Sequence, residues 1–578
     1  MTGQVQVREL FARRPGTTEG GLLFRVGYAD ETLPTSGITS LVVALALRAA
    51  ERPGLDVGAS VGPVVTEVRV TGTPDRVRTT LRDVALALSD LPVRHRATEA
   101  RALAERAGEV VPVPLWRFGH QGYGLGPGRY LGLHRVTDGD LRAWARERFT
   151  AADAVVWSRG EEALGPEVPL PGAPAGSAAR SAPAVPEAAW SLPAEAHAGG
   201  TSVIWDAVVP AVPAAPVLAE VARRALFQSL RHDRGWTYDV AASAGLLDGR
   251  HAAFRLSAGL RQETADQATG EFLDTWGRLR HAVPDEELAV ARAHLLLTFD
   301  EPRQEAVWVR EDALLTVLGR PVPTPAERRA ALEAVTADDV VGLARQAWDT
   351  GLLVTPVREG WAGTSVVPRG AGEPVEGRSF ARLDADAAVV IGQDGATLRV
   401  GAARTTVRFA DAAAVVAYPD GGRLLVGLDG TEIPFEPTLH DDLTVSDVAT
   451  LVDDRVSSEL VIPVPRERAP ERPDRAAIEQ RRRSRAARRA AENGRSRLSR
   501  VEVVRLIAAL ALIPGLLVAV GGVAVCAGGL VLTLVAWIDV GPQPWGLPVL
   551  LAAVGGASGV LTWLCWRGLD RLRVGIRF

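Results

Sequence analysis

Lysine is absent from this chain; all 65 of its basic residues are arginine. So one-sided a choice fits the codon usage of a high-GC genome better than a binding role. Cysteine is nearly as scarce: the two present, Cys526 and Cys565, both fall in the apolar C-terminal stretch. That excludes a disulfide framework and suits a reducing compartment. The opening residues, MTGQVQVRELFARRPG, lack the apolar run of a secretory signal, so no cleavable signal peptide is expected. Histidine is sparse and poorly spaced for metal. None of the nine, from His95 to His440, lies three to five residues from another, so no single helix presents an imidazole pair. A net charge of −4 with 47% apolar residues suits a globular chain that also carries a membrane piece.

What is present is enough for several cores, since 578 residues exceed what one needs. Residues 1–160 alternate strand-like runs (21–26, 64–71) with helical ones (76–88, 138–149). Residues 161–200 are a Pro/Ala/Gly stretch without periodicity, a linker by composition. Residues 201–365 return to mixed structure, with strands expected at 202–209 and 252–258 and helices at 216–230 and 286–299. This region closes on VTADDVVGLARQAWDTGLLVTPV, which parallels VTDGDLRAWARERFTAADAVVWSRG near the end of the first. Thr137 with Asp140, and Thr336 with Asp339, each spell a capping box ahead of a helix and an apolar strand. The two boxes lie 199 residues apart, which points to an internal duplication; the plainer alternative is two unrelated units that share a cap.

Residues 380–462 change texture. Short β-prone runs are broken by Asp394-Gly395, Asp420-Gly421 and Asp429-Gly430, a strong hairpin signal. An amphipathic helix at 446–460 follows, and the set resembles a pleckstrin-homology-like barrel. Residues 463–505 form a basic segment, with ten arginines between Arg475 and Arg500 against Glu479 and Glu492. Residues 506–538 and 540–566 are then free of charge, each longer than the roughly 20 helical residues that span a bilayer. The breakers between them predict a transmembrane hairpin over 506–566. Arginine on both flanks, including the tail 567–578, places the bulk of the chain in the cytoplasm. The basic segment abuts the membrane and has no interleaved aromatics for base stacking, so a lipid surface is expected and nucleic acid is not.

Residues 21–50 read GLLFRVGYADETLPTSGITSLVVALALRAA, and residues 230–240 read LRHDRGWTYDV. The first stretch resembles the opening of the insulinase/pitrilysin family of zinc peptidases: an apolar strand, an R-V-G-x-x-D-E-T turn, then a helix that carries H-x-x-E-H. Such a site needs two imidazoles one helical turn apart and a glutamate to deprotonate water. Here those slots hold Ser40, Val43 and Ala44, which can do neither. The resemblance implies a third ligand, a glutamate on a later helix, matched by Glu105 with Glu99 second. The second stretch resembles the family's L-R-x-x-x-G-x-x-Y motif. There an arginine and a tyrosine bind the substrate backbone and stabilise the oxyanion; the matching positions are Arg231 and Tyr238, with Gly235 allowing the turn after the helix.

The expected fold is therefore α+β: two duplicated insulinase-like halves, a small mainly-β pleckstrin-homology-like domain, and a two-helix transmembrane hairpin. The resemblance implies a non-catalytic, membrane-anchored homologue without cofactor. It would bind a peptide or protein, or supply Arg231 and Tyr238 to a zinc-bearing partner subunit. The alternatives are a zinc peptidase with unusual ligands, such as His120, His134 and Glu105, and a pure membrane scaffold.

Overall fold

The computed structural model describes residues 7–474, apart from 51–54, 107–112, 127–129, 171–179, 301–303, 358–359 and 368–371, and a few positions from 476 to 483. The expected hairpin at 506–566, the tail and nearly all of the basic run lie outside the described residues.

The first sheet joins β1 (Arg8–Arg13), β2 (Thr18–Phe24), β3 (Asp56–Val61), β4 (Thr66–Gly72) and β5 (Ala154–Gly160), in the order β1-β5-β2-β4-β3. Its helices are α1 (Ile38–Ala50), α2 (Pro74–Ser89), α3 (Arg96–Arg106), α4 (Val113–Phe118) and α5 (Asp138–Arg148). β2 is central and apolar on both faces because both faces are covered. Leu22 and Phe24 pack with Leu41, Leu45, Leu81 and Phe149, while Leu23 faces the opposite side. Gly21 is needed for close approach: a Cβ there would lie 2.3 Å from the Trp157 indole nitrogen.

A second sheet joins β6 (Ala194–His197), β7 (Ser202–Pro210), β8 (Thr237–Leu246), β9 (His251–Leu260), β10 (Leu352–Thr355) and β11 (Ser365–Val366), in the order β11-β6-β10-β7-β9-β8. Between its strands run α6 (Ala214–Leu226), α7 (Ala265–Arg278), α8 (Asp285–Asp300), α9 (Gln304–Val317), α10 (Pro325–Glu333) and α11 (Ala337–Asp349). Without the short β11, strand order, chain order and directions repeat those of the first sheet. β1 runs parallel to β5 as β6 does to β10, and the other pairs are antiparallel. Both capping boxes form: the Thr137 and Thr336 hydroxyls each accept from the aspartate N–H three residues on, at 3.2 Å. The second core is aromatic, with Trp205 stacked on Trp348 at 4.5 Å and Phe254 on Trp276 at 5.4 Å.

The two halves exchange helices. Ala306, Val309, Ala313 and Val317 of α9 pack on Leu23, Val155 and Trp157 of the first sheet. Val113 and Trp116 of α4 pack on Ile204, Leu352 and Val354 of the second. Residues 161–200 differ from the structureless linker that their composition suggests. β6 lies within them and pairs with β10, and Ala189 N–H bonds the Arg117 carbonyl at 2.8 Å. Tyr123 Oη donates to the Pro183 carbonyl at 2.9 Å. Proline and alanine carry no periodic signal, yet their backbone can be satisfied by groups from both halves.

Residues 377–463 form two four-stranded sheets. One is β12 (Gly377–Ala381), β13 (Ala387–Gly392), β14 (Gly395–Val400) and β15 (Ala403–Arg408) in that order. The other contains β16 (Ala412–Ala417), β17 (Arg423–Gly427), β18 (Glu432–Phe435) and, after α12 (Val445–Leu451), β19 (Val461–Pro463), in the order β18-β17-β16-β19. Phe380, Val389, Leu425 and Phe435 share one core with Val448 of α12. The helix expected over 446–460 stops at Leu451. Asp453 turns to pair with Arg423 at 2.9 Å, and short 3-10 turns follow at Asp453–Arg455 and Ser458–Leu460. The far face of the second small sheet, through Ala414, Val416, Val426 and Ile462, packs on Leu33 and Leu125 of the first half.

Candidate functional site

The turn before α1 explains its own sequence. Arg25 is buried and donates to both carboxylate oxygens of Asp30, at 2.8 and 3.0 Å, and to the carbonyls of Val64 and Ser181. Asp30 also accepts from Gly27 N–H at 2.9 Å. Glu31 is buried one residue on, and its two oxygens accept from Gly37 N–H (2.7 Å) and Thr39 N–H (3.0 Å). The R-V-G-x-x-D-E-T stretch thus locks a turn and satisfies backbone donors at the start of α1.

Burial pushes the Glu31 carboxyl up to about 7, against the N–H donors that favour the anion. The folded chain therefore holds this proton more tightly than the unfolded chain does. Its contribution to stability is complete below the ordinary carboxylate range and is lost as pH rises through about 7. Between about pH 5 and pH 8 this removes roughly 2–3 kcal/mol. Thermal midpoints measured across that range in wild type and Glu31→Gln check it: the variant, neutral throughout, shows the shallower slope.

Ser40 lies in the first turn of α1, and Val43 and Ala44 lie near its middle. Val43 is 3% exposed and belongs to the core beneath the first sheet, while Ser40 and Ala44 are half-buried. A hydroxyl, an isopropyl and a methyl group do not fit a zinc ion, and among the described residues no cluster of three or more His, Cys, Asp or Glu could hold one. The two glutamates on α3 separate. Glu105 is exposed near the helix end, whereas Glu99 is buried and its Oε1 accepts from Arg48 Nη1 of α1 at 2.7 Å. Glu99, not Glu105, is thus the acid that α3 brings to α1. It serves an ion pair one turn beyond Ala44. His120 is buried and His134 is exposed.

Arg231 and Tyr238 do come together. α6 continues as a π-helical turn, Phe227–Asp233, which ends at Gly235 with φ +67°. That left-handed backbone lets Gly235 N–H reach the Arg231 carbonyl (3.2 Å) and Trp236 N–H the Leu230 carbonyl (2.8 Å). β8 then begins with a bulge: its register to β9 shifts between Thr237 and Val240. The Thr237 hydroxyl donates to the Asp239 carbonyl at 2.7 Å and holds the bulge. The extra residue turns Tyr238 outward, leaving it 68% exposed. Arg231 lies 5.3 Å from the Tyr238 ring centroid, and its Nη1 donates to the Thr237 carbonyl at 3.2 Å.

A third residue joins them that no motif marked. Arg261, just past the end of β9, lies 4.7 Å from the same ring, and its Nη2 donates to the phenol oxygen at 2.7 Å. Only the hairpin register, Thr237 opposite Leu260, places it there. Among the described residues β8 is the edge strand of its sheet, and one side of its backbone has no neighbouring strand. The sheet face beside it also meets the first half. Arg117 of α4 pairs with the buried Asp206 at 2.8 Å, and Arg255 of β9 pairs with the other oxygen at 2.8 Å. Tyr28 lies within the field of both Arg255 and Asp206, and burial pushes its phenol up to about 12.

The described body thus holds two α/β halves of one topology, joined by exchanged helices. Residues 213–295 match a family described as the peptidase M16 inactive domain. Among solved structures, a peptidase M16 inactive domain from Pseudomonas fluorescens is similar with a TM-score of 0.51 at 15% identity, over 63% of this chain and 96% of that one. The periplasmic protease PqqL from Escherichia coli is similar with a TM-score of 0.50 at 12% identity, over 71% of this chain and 55% of that one. No curated protein matches the chain significantly.

Proposed function

We propose that this protein is a non-catalytic, membrane-anchored homologue of the insulinase-like peptidases. It holds an extended peptide or protein segment at the Arg231–Tyr238 edge, or lends that edge to a zinc-bearing partner subunit. The observation that carries the reading is a contrast within one body. The zinc positions hold Ser40, Val43 and Ala44, with Val43 in the core, while Arg231 and Tyr238 stand together at the start of a free strand edge. An edge strand offers a row of backbone donors and acceptors to an incoming segment. The guanidinium and phenol add polar contacts at one end.

The anchor in this proposal is the pair of charge-free stretches 506–538 and 540–566, and the arginine-rich flanks keep the body in the cytoplasm. We infer that the small domain, residues 380–462, is pleckstrin-homology-like in fold. Two features support this: antiparallel strands β12–β15 and β16–β18 in two sheets around one core, and a helix against that core, while β19 adds a parallel pair to β16.

The test uses the full chain purified in detergent, assayed for zinc and for peptide cleavage. Neither is expected. Stoichiometric zinc with cleavage abolished by a chelator overturns the reading. The double variant Arg231→Ala, Tyr238→Phe is expected to keep the wild-type thermal midpoint and to bind peptide about 10–100-fold more weakly, as hydrogen bonds to a charged group are lost.

A further inference from the structure

We propose that Arg261 makes this edge selective for acidic segments: with Arg231 and Tyr238 it forms a receiving site for an Asp or Glu side chain of an extended peptide. The proposal rests on the peptide-binding reading above and names the chemistry of what is bound. Both guanidinium groups lie within 5.3 Å of one exposed ring, and neither forms an ion pair with any carboxylate among the described residues. Their other contacts are neutral oxygens, the Thr237 carbonyl and the Tyr238 phenol. Asp239, the residue after Tyr238, is held over Gly259, where a Cβ would lie 2.6 Å from its Oδ1. It pairs with neither arginine.

The neighbouring arginine shows what a satisfied cation looks like here. Arg234 stacks on Trp236 at 5.1 Å, but it also pairs with Glu271 at 3.2 Å. Among the described residues Arg231 and Arg261 have no such partner. Two like charges around one ring repel each other and raise the local potential, and an arriving anion relieves both effects. Arg261 also donates to the phenol oxygen, which leaves the phenol proton free to donate onward. A carboxylate at this point would meet two guanidinium donors and one hydroxyl donor, a set matched to its two oxygens.

The edge decides the form of the ligand. β8, ten residues long, has no strand on its outer side among the described residues. Its outward residues, Ala241, Ser243 and Gly245, are small and exposed, so nothing bulky blocks a neighbour. An extended segment that pairs with this edge carries its side chains past the arginines. The acid is therefore assigned to a side chain within the segment, not to a chain terminus.

The experiment titrates full chain in detergent with three extended peptides that alternate threonine and valine. One has a central glutamate and an amidated end, one a central glutamine and an amidated end, and one a central glutamine and a free carboxylate. Wild type, Arg261→Gln and Arg234→Gln are compared, with thermal midpoints as a folding check. The expected result is about tenfold tighter binding of the glutamate peptide by wild type and by R234Q, reduced to within about twofold in R261Q. Equal binding of the glutamate and glutamine peptides overturns acid selectivity and leaves peptide binding intact. Preference for the free carboxylate overturns the side-chain assignment. If no peptide binds, the peptide-binding reading falls, and this inference with it.

Discussion

Replacing Arg117 with methionine lowers the stability of the folded body by about 3–5 kcal/mol, because it breaks a buried ion pair. Arg117 is 2% exposed, and its Nε donates to Asp206 Oδ1 at 2.8 Å. Its Nη1 reaches the Thr350 carbonyl, also at 2.8 Å, and its Nη2 donates to the Asp206 carbonyl. One side chain of α4 thus ties the first half to β7 and to the end of α11. Methionine fills similar space but leaves Asp206 and two carbonyls without their donor in a buried setting. Arg255 would still pair with Asp206, but its side chain is 43% exposed and neutralises the carboxylate from one side only. The shift of the first urea transition measures the loss. A further comparison separates breaking from replacing: Arg117→Met with Asp206→Leu recovers much of it, because an apolar pair leaves no buried charge unpaired. A midpoint in R117M equal to wild type removes α4 as a strut between the halves.

The reciprocal contact gives a graded control. Arg310 of α9 reaches back to Glu67 of β4 at 2.6 Å, and Glu67 also accepts from the Trp157 indole at 3.1 Å. The geometry mirrors that of Arg117, but Arg310 is 54% exposed. Solvent screens it and can take over its donors, so its loss weighs less than that of Arg117.

Much of this body is legible in sequence because the signals are local. The capping boxes at Thr137 and Thr336 announce the helices that follow, and the strands expected at 202–209 and 252–258 appear as β7 and β9 with ends moved by one or two residues. The Asp-Gly pairs mark turns between short strands. What stays hidden depends on distant partners. β6 lies in a stretch of proline and alanine because β10 and β11 pair with it from either side, and no period in its own residues records that. The helix exchange is equally silent, since α4 and α9 look like ordinary members of their own halves. The site divides the same way. Arg231, Gly235 and Tyr238 fall within one short motif, whereas Arg261 arrives through hairpin register and its sequence neighbours give no hint of it. The R-V-G-x-x-D-E-T turn was visible as a pattern, but the bidentate Arg25–Asp30 contact and the Glu31 cap are what give it physical content.

Placing His-x-x-Glu-His residues on α1 tests whether the helix can hold a zinc site, and the cost is expected to fall on one position. Val43→Glu places a carboxylate where the side chain is 3% exposed, among Leu41, Val42, Leu45, Leu22 and Phe24. Burying an unpaired carboxylate without hydrogen bonds costs several kcal/mol or forces it to hold a proton. A loss of about 3–5 kcal/mol is expected, read as a large drop in thermal midpoint that lessens at low pH as the new acid is neutralised. Ser40→His with Ala44→His changes two half-buried positions on the neighbouring stripe and is expected to cost about 1 kcal/mol or less per site. The triple variant should therefore be as unstable as Val43→Glu alone. Zinc that restores its midpoint and peptide cleavage together would mean that the cleft remains shaped for the reaction. Zinc without effect on the midpoint would mean that α1 has become a core helix, consistent with its apolar run LVVALAL and with the covering of its N-terminal approach by Leu33, Leu125 and the small β-sheet. The structural balance favours the second result, because Val43 now contributes packing that a glutamate cannot replace.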